Sequence, residues 1–377
     1  MSKVISIIPD RLAHYRVPVF DNIANNVDGL KLYIYSDLAL DSSRIKKPTD
    51  GELKKSSFTW MRSRDFRIKD RLIISSGSLK SITDESNVVI IWGDAFSPGN
   101  WIAAVIIKVL RKKKLAFWTH GLYGNENWLK KKVRCLFYSL ADSLLLYGSH
   151  AKKLLMLEGF SESKLYVINN SLDVGCQNRI YQENHSSRQR VDAEKFKIIF
   201  VGRLTKVKKL NLLLEASRLL IDSFSLEVDI VGDGDQISFL QKISKDFGLE
   251  GTVNFHGAVY DEKVLAKLIM CSDVMVSPGN VGLTAMHGLV YGTPVISHAN
   301  ASNQMPEFEA IRPSESGELF TEDNPQSLAE SIVRCKENLE NGVINEKTCR
   351  NVLEQYYSFT YQVRVFEQFL DKGLGVK

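Results

Sequence analysis

The sequence holds little of what marks a secreted, membrane-spanning or metal-templated chain. Cysteine is scarce: Cys135, Cys176, Cys271, Cys335 and Cys349 are five in number, widely spaced and without a CxxC pair. An odd, scattered set excludes a disulfide framework and makes a structural zinc site a poor fit. It reads as the reduced thiols of a cytosolic protein. Long apolar runs are missing too. The most lipid-like stretch, Trp101 to Val109, is about half of the roughly 20 residues that a membrane span needs. The opening MSKVISIIPDR carries an apolar stretch of about five residues, closed by Pro9-Asp10, which is too short for a secretory signal. There is no HExxH or similar metal set, no GxSxG elbow and no paired-carboxylate motif, so no metal site is expected and hydrolysis has little support. Residues 9–16 (PDRLAHYR) contain no glycine. A nicotinamide dinucleotide would want GxGxxG there, after the first strand.

What is present has a globular balance. With 44% hydrophobic and 25% charged residues, the chain can bury a core and is neither disordered nor fibrous. Its 377 residues fit two domains of ordinary size. The net charge of +5 hides an asymmetry: residues 1–185 hold 28 Lys+Arg against 18 Asp+Glu, or +10, and the remainder 21 against 26, or −5. The basic excess clusters at Arg111–Lys114, at Lys130–Lys132 with Arg134, and at Arg62, Arg64, Arg67, Lys69 and Arg71. Each cluster stands beside apolar neighbours such as Trp101, Trp128 and Phe66. Such interleaving suits the surface of an anionic membrane, where each cation contributes about 1 kcal/mol; Lys-rich solvated helix faces give the same pattern. Nucleic acid is not expected as a partner, because the second half is acidic and no binding motif appears.

Hydrophobic periodicity predicts an α/β chain in two doubly wound halves. Continuous Val/Ile/Leu strands at Val4–Ile8, Leu30–Tyr35, Val88–Trp92, Leu115–Trp118 and Ser143–Tyr147 alternate with amphipathic helices at Val17–Asn25, Trp101–Arg111, Trp128–Ala141 and His150–Leu157. The polar stretch QENHSSRQRVDAE then interrupts the rhythm, and 184–195 reads as a linker between domains at 1–183 and 196–350. Strands restart at Lys197–Val201, Glu227–Val231, Val253–Phe255, Val274–Val276 and Pro294–Ser297, with helices between them. A last helix over roughly Thr348–Asp371 carries Tyr356, Tyr357, Tyr361, Phe366 and Phe369. Two Rossmann-like domains joined by one linker place a ligand cleft at the carboxyl ends of their strands.

The second half carries the clearer chemistry. Val201-Gly202-Arg203 closes a strand and Lys208 follows before a Leu-rich helix. Arg203 offers a planar fork and Lys208 a point charge, as a diphosphate requires. The turn Gly232-Asp233-Gly234 is a weaker signal, as compatible with a tight turn as with a ligand loop. From Val274 to Pro306 there is no Asp, Glu, Lys or Arg, which in this chain marks a buried, pocket-lining element. Within it a helix is expected to open at Gly282. The amides of Gly282, Leu283 and Thr284 would then form an anion site. In the first half, His120 stands directly after a buried strand, where cleft residues arise, and His14, Tyr15 and Arg16 follow the first strand, where an acceptor would lie. His150, His185, His256 and His298 read as structural or exposed.

VGRLTKVKKLNLLLEA, VDIVGDGD, VNFHGAV and GLTAMHGLVYGTPVI, in this order and spacing, resemble the donor-binding half of family 4 glycosyltransferases, retaining enzymes of the GT-B fold. FWTHGLYG, ADSLLLYGSHAKKLL and KLYVINNSLD are similar to the first half in outline, so the resemblance covers nearly the whole chain. It implies two Rossmann-like domains facing across a cleft, with the segment 351–377 returning to the first domain. It implies a nucleotide-diphosphate sugar as co-substrate, whose diphosphate meets Gly202, Arg203, Lys208 and the helix start. It also implies His120 beside the reacting sugar, no cofactor and no metal.

One departure stands out. The family usually carries two glutamates in this segment, one toward the sugar and one toward the ribose. Aligned through GTPVI, these positions are Gly279 and His287, and Lys209 stands where glycine is common. Either the donor sugar is read differently, by Asn280, Thr284, His287 or Glu307, or catalysis is lost. The function implied is retaining transfer to a glycan or lipid-diphosphate-linked acceptor in O-antigen, capsule or exopolysaccharide synthesis, at the inner face of the cytoplasmic membrane. The alternatives are a catalytically silent nucleotide-sugar-binding subunit and a GT-B sugar-nucleotide epimerase.

Overall fold

The computed structural model describes residues 3–38, 47–68, 71–111, 113–170, 174–184 and 194–375. The chain forms two compact units, residues 1–173 with 359–377, and residues 174–358.

In the first unit the strands are β1 (Lys3–Ile8), β2 (Leu30–Ser36), β3 (Thr59–Arg62), β4 (Asp65–Ile68), β5 (Arg71–Ser75), β6 (Val88–Trp92), β7 (Lys114–Thr119), β8 (Ser143–Leu146) and β9 (Leu165–Val167). Seven of them make one sheet in the order β3-β2-β1-β6-β7-β8-β9, with every neighbouring pair parallel, while β4 and β5 form an antiparallel hairpin. Helices α1 (Val17–Asn26), α2 (Asp50–Lys55), α3 (Ser76–Thr83), α4 (Pro98–Val105), α5 (Trp128–Ser139) and α6 (Ser149–Leu157) connect the strands. Side chains alternate across a strand, so a sheet covered on both faces needs apolar residues at every position. Ile5, Ile7, Val88, Ile90 and Trp118 accordingly build one core, and Val89, Ile91, Leu115 and Phe117 the other. The expected helix at Trp101–Arg111 begins earlier, at Pro98, and loosens into a π-helical turn over Ile106–Arg111.

The second unit repeats the plan. Strands β10 (Phe196–Val201), β11 (Leu226–Val231), β12 (Val253–Gly257), β13 (Val274–Ser277), β14 (Val295–His298) and β15 (Gly317–Phe320) form a parallel sheet in the order β12-β11-β10-β13-β14-β15. Its helices are α7 (Val174–Asn184), α8 (Leu210–Leu220), α9 (Ile237–Asp246), α10 (Glu262–Met270), α11 (Thr284–Val290), α12 (Pro325–Glu340) and α13 (Glu346–Tyr356). Asparagine or aspartate caps several of them. Asp261 accepts from the amides of Lys263 and Val264, and Asn345 closes a capping box with Thr348.

Two boundaries differ from the sequence reading. The first unit ends at 173 rather than 183, because α7 belongs to the second: Arg350 of α13 lies 3.8 Å from the Tyr181 ring and donates to Asn178 Oδ1 at 3.0 Å. Of the linker at 184–195, residues 185–193 lie outside the described residues, as do His185, Lys69 and Lys112. The single helix expected over Thr348–Asp371 breaks at Tyr357-Ser358. Its second part, α14 (Phe359–Gln368), joins the first unit with a π-helical turn over Phe369–Gly373, so the return begins at 359 rather than 351. Phe366, Phe369 and Leu370 complete the core around Phe20 and Ile7. The aromatic stripe is therefore packing, as its spacing implies.

Candidate functional site

In the second sheet the strand order reverses between β10 and β13, and ligand crevices of open parallel sheets form at such a point, beyond the carboxyl ends of the strands. The loops there are drawn together by glycine. Gly202 has a φ of +153°, and a Cβ on Gly232 would stand 1.8 Å from the Gly202 carbonyl oxygen. Such an approach is open only to glycine. Gly234 is under the same constraint against Leu204 O, at 2.3 Å. The Gly-Asp-Gly turn is thus a packing device. Asp233 is exposed and its carboxylate accepts the amide of Gly234 at 2.7 Å, so this expected ligand residue serves its own turn.

The 3-10 turn Lys206–Lys208 rests on the loop after β13. Gly279 N–H donates to Lys208 O at 3.0 Å, and Lys208 Nζ donates to Asn280 O at 2.7 Å and Asn280 Oδ1 at 3.0 Å. Burial first, then the charge of Arg203, pushes the Lys208 ammonium below its ordinary value, while Glu307 pulls it back up. Arg203, Lys208, Asn280 and Glu307 therefore share one electrostatic neighbourhood, with Arg203 exposed and Glu307 buried on the 3-10 turn Pro306–Ala310. Lys209 adopts φ +50°, a left-handed conformation in which glycine is at ease, and its ammonium is held by Glu322 at 2.9 Å and Asp323 at 2.6 Å. Burial opposes ionisation of Glu322, yet Lys209, Asn303 and Asn300 together hold its pKa at about 2.

Sequence reasoning placed a helix start at Gly282. The helix begins two residues later, at Thr284, and runs for only 7 residues. The Gly282, Leu283 and Thr284 amides have no backbone partner among the described residues; they belong to a loop rather than to a long helix dipole. That loop is fixed by residues the sequence did not single out. Buried Gln304 accepts the Val281 amide at 2.8 Å and donates to Ser297 Oγ at 2.8 Å, and Ser297 Oγ donates to Ser277 O at 2.8 Å.

His287 turns toward α10. Its Nε2 lies 3.6 Å from Glu262 Oε1, which also accepts the Tyr291 hydroxyl at 2.7 Å, and burial lowers the His287 pKa against the pull of Glu262. A carboxylate thus stands beside position 287 although α11 carries none; Glu262, at an ordinary helix start, gave no signal. Position 279 admits no side chain at all, since a Cβ there would lie 2.0 Å from Val207 O.

The first unit gathers His120 and Arg16 and leaves His14 aside. His14 pairs at 2.8 Å with Glu52, itself in the capping box of Thr49. Arg16, expected to face an acceptor, is buried: its guanidinium carbon lies 5.1–5.9 Å from the rings of Tyr147, Trp92, Tyr15 and Trp118, and Nη2 donates to Tyr147 Oη at 2.8 Å. The reason is steric and electrostatic, because four π-faces converge where the first turn after β1 crosses the sheet end. Tyr15 is half-buried beside it.

His120 follows β7 and packs against the Tyr147 ring with centroids 4.7 Å apart and the planes tilted by 43°. Its Nδ1 is buried without a partner among the described residues. Burial, then Arg16 and Arg134, push its pKa down to about 4, so the ring is neutral near pH 7. Arg134 donates to Gly121 O at 3.0 Å and Thr119 Oγ1 to Gly93 O at 3.2 Å, bracing the Thr-His-Gly turn. Among the described residues no three His, Cys, Asp or Glu side chains are grouped to hold a metal ion.

Residues 182–348 match the family model for Glycosyl transferases group 1. The matched residues lie within the second unit, and the fold, with its two parallel sheets in Rossmann-like units, is GT-B. The chain is 27% identical over 216 residues to a 41.2 kDa protein of the cps region of Klebsiella pneumoniae, covering 54% of this chain and 58% of that one. It is 29% identical over 226 residues to the glycosyltransferase MJ1607 of Methanocaldococcus jannaschii, covering 57% and 56%. The chain thus spans a little over half the length of these curated relatives. Among solved structures it is similar to the lipopolysaccharide outer core galactosyltransferase WaaB, with a TM-score of 0.68, 17% identity and 96% and 98% of the two chains covered. It is equally similar to HepE of Anabaena in complex with UDP, at 0.68, 14%, 98% and 99%. These structural likenesses establish the fold.

Proposed function

We propose that the protein is a retaining glycosyltransferase of family 4. It would move a hexose-type sugar from a nucleotide-diphosphate donor to a glycan or lipid-diphosphate-linked acceptor in bacterial surface polysaccharide synthesis. The observation that carries this reading is the cluster of Arg203, Lys208, Asn280 and Glu307 at the strand-order reversal of the domain that matches the family. Two cations with one carboxylate between loops suit a diphosphate, whose growing charge they neutralise as the sugar departs, and no metal is assigned a part. The amides of Gly282, Leu283 and Thr284 add donors to the phosphates. Asn280 and Glu307 read sugar hydroxyls, and His287 with Glu262 lies toward the nucleoside. An acceptor hydroxyl attacks the anomeric carbon on the face the diphosphate leaves. The new C–O bond forms as the bond to phosphate breaks, and the proton passes to a phosphate oxygen. His120, neutral, accepts or donates a hydrogen bond at the sugar. The cps and lipopolysaccharide contexts of the relatives support the polysaccharide assignment, and a lipid-linked acceptor places the enzyme on the inner face of the cytoplasmic membrane.

A thermal-shift screen of nucleotide diphosphates and their sugars tests the site. A donor at 100 times its Kd stabilises by about 2.7 kcal/mol, and Arg203→Ala and Lys208→Ala each remove that shift. Retention of the full shift in both variants refutes the phosphate site. A donor that binds but yields no free nucleotide diphosphate with any acceptor makes the protein a silent binding subunit.

A further inference from the structure

The helices of the first unit lie in two layers, one over each core, and the layers differ in chemistry. α1, α2, α14 and the turn Phe369–Gly373 cover the core around Ile7 and Trp118. They carry Asp21, Asp50, Glu52, Lys54, Lys55, Arg364, Glu367, Asp371 and Lys372, charges of both signs in near balance, and leave no large apolar side chain exposed. α3, α4 with its π-helical continuation, α5 and α6 cover the core around Val89 and Phe117. Their sequences hold nine Lys and Arg and not one Asp or Glu. They also expose nine large apolar side chains, among them Val109 (65%), Trp128 (67%), Leu136 (62%) and Leu157 (81%). On α5, Leu129, Lys132 and Leu136 share one stripe at helical spacing, and the Lys132 ammonium lies 5.1 Å over the Trp128 ring. A groove of about 710 Å3 beside that stripe is lined by Tyr138, Leu144 and Phe160, with Lys132, Lys164 and Glu158, the last neutralised by Lys131, at its exposed rim. Lys131 and Lys152 are paired with Glu158 and Glu162, whereas Lys130, Lys132, Lys153 and Lys164 form no ion pair among the described residues.

We infer that this helix layer is a docking face for an anionic phospholipid bilayer, with the apolar tips at the acyl–headgroup boundary, the lysines on lipid phosphates and the groove holding the upper part of one lipid chain. A nucleic acid offers nothing to Leu and Val tips, and no helix among the described residues is long and apolar enough to cross a membrane. A surface that combines unpaired cations with protruding aliphatic and indole groups matches a peripheral, interfacial mode. The inference deepens the lipid-linked reading above but is read by partition, not by transfer. A failure here therefore leaves the transferase reading standing, and the reverse holds too.

The test is flotation of the full chain with phosphatidylcholine vesicles and with vesicles containing about one-third phosphatidylglycerol. The wild type binds the anionic vesicles about tenfold better, and half-molar salt weakens that binding. Leu129→Ser with Leu136→Ser, and separately Lys130→Glu with Lys132→Glu, each lower it about tenfold, while a cooperative thermal melt at the wild-type temperature is retained as proof of folding. Arg364→Glu with Lys372→Glu, on the opposite layer, leaves it unchanged. Equal binding to neutral vesicles, no vesicle binding, binding indifferent to the α5 changes, or capture of a duplex oligonucleotide in place of vesicles each overturns the proposal.

Discussion

The two parallel sheets are built alike, each reversing its strand order beside its first strand, yet the ends of those strands are furnished in opposite ways. In the first unit the reversal point is filled: Arg16 is enclosed by Trp92, Trp118 and Tyr147, and the neighbouring His120 is kept neutral by that enclosure. In the second unit it is kept polar, with Arg203 exposed, Lys208 clamped to Asn280, and glycines at 202, 232 and 279 bringing backbones together. The same cation therefore has different work in the two places. Where aromatic rings surround it, it holds a fold and a potential; where backbone loops surround it, it joins the polar cluster on which the proposed phosphate site rests.

Substitutions break or sharpen that contrast, and the largest effect is expected in the second unit. Under the proposed function, Lys208→Ala lowers kcat by about 100- to 1000-fold, the scale of losing one preorganised charge donor, with little change in melting temperature; steady-state kinetics and a melt on one preparation check both. Gly279→Ala brings a Cβ against Val207 O and costs about 2–4 kcal/mol of stability by urea denaturation, on the scale of overpacking and strain. In the first unit the pattern inverts. Arg16→Met keeps the volume but loses the Tyr147 hydrogen bond and the ring contacts, costing about 1–3 kcal/mol, while nucleotide binding to the second unit is unaltered. Loss of nucleotide binding there would end the division of labour.

His120 gives a pH signature. Its folded pKa of about 4 lies below the ordinary 6.5, so the unfolded chain takes up a proton first on acidification. Its contribution to stability is complete above about pH 6.5 and is lost as pH falls toward 4. A His120→Asn variant flattens the melting profile across that window, and an unchanged profile contradicts the enclosure. The smallest effect is expected of Lys209→Gly. Relief of the left-handed backbone offsets loss of the Glu322 and Asp323 pairs, for a net change under about 1 kcal/mol in a thermal melt.

The core strands of both sheets, their parallel sense and most helices were legible because a doubly covered sheet writes itself as uninterrupted Val, Ile and Leu. β3, β9 and β15 were not, since edge strands such as Thr59–Arg62 and Gly317–Phe320 carry mixed composition. Arg203 and Lys208 were visible as charges at a strand end, and Gly279 as the position where the resembled family carries a glutamate. Glu262, Ser297 and Gln304 were hidden, because each acts across elements far apart in sequence and nothing at 262 or 304 departs from an ordinary helix start or loop. Arg16 was misread for the same reason: its enclosure depends on Trp92, Trp118 and Tyr147, which only folding assembles.

The docking of α14 into the first core also bears on biosynthesis. Phe366, Phe369 and Leu370 complete a hydrophobic layer begun by residues 5–34, yet they leave the ribosome only after the whole second unit has been made. At roughly 5–20 residues per second, the nascent first sheet waits about 10–40 s with one face only partly covered, by α1 and α2. During that interval a chaperone, or early closure by a neighbouring nascent chain, competes for the surface that α14 later seals.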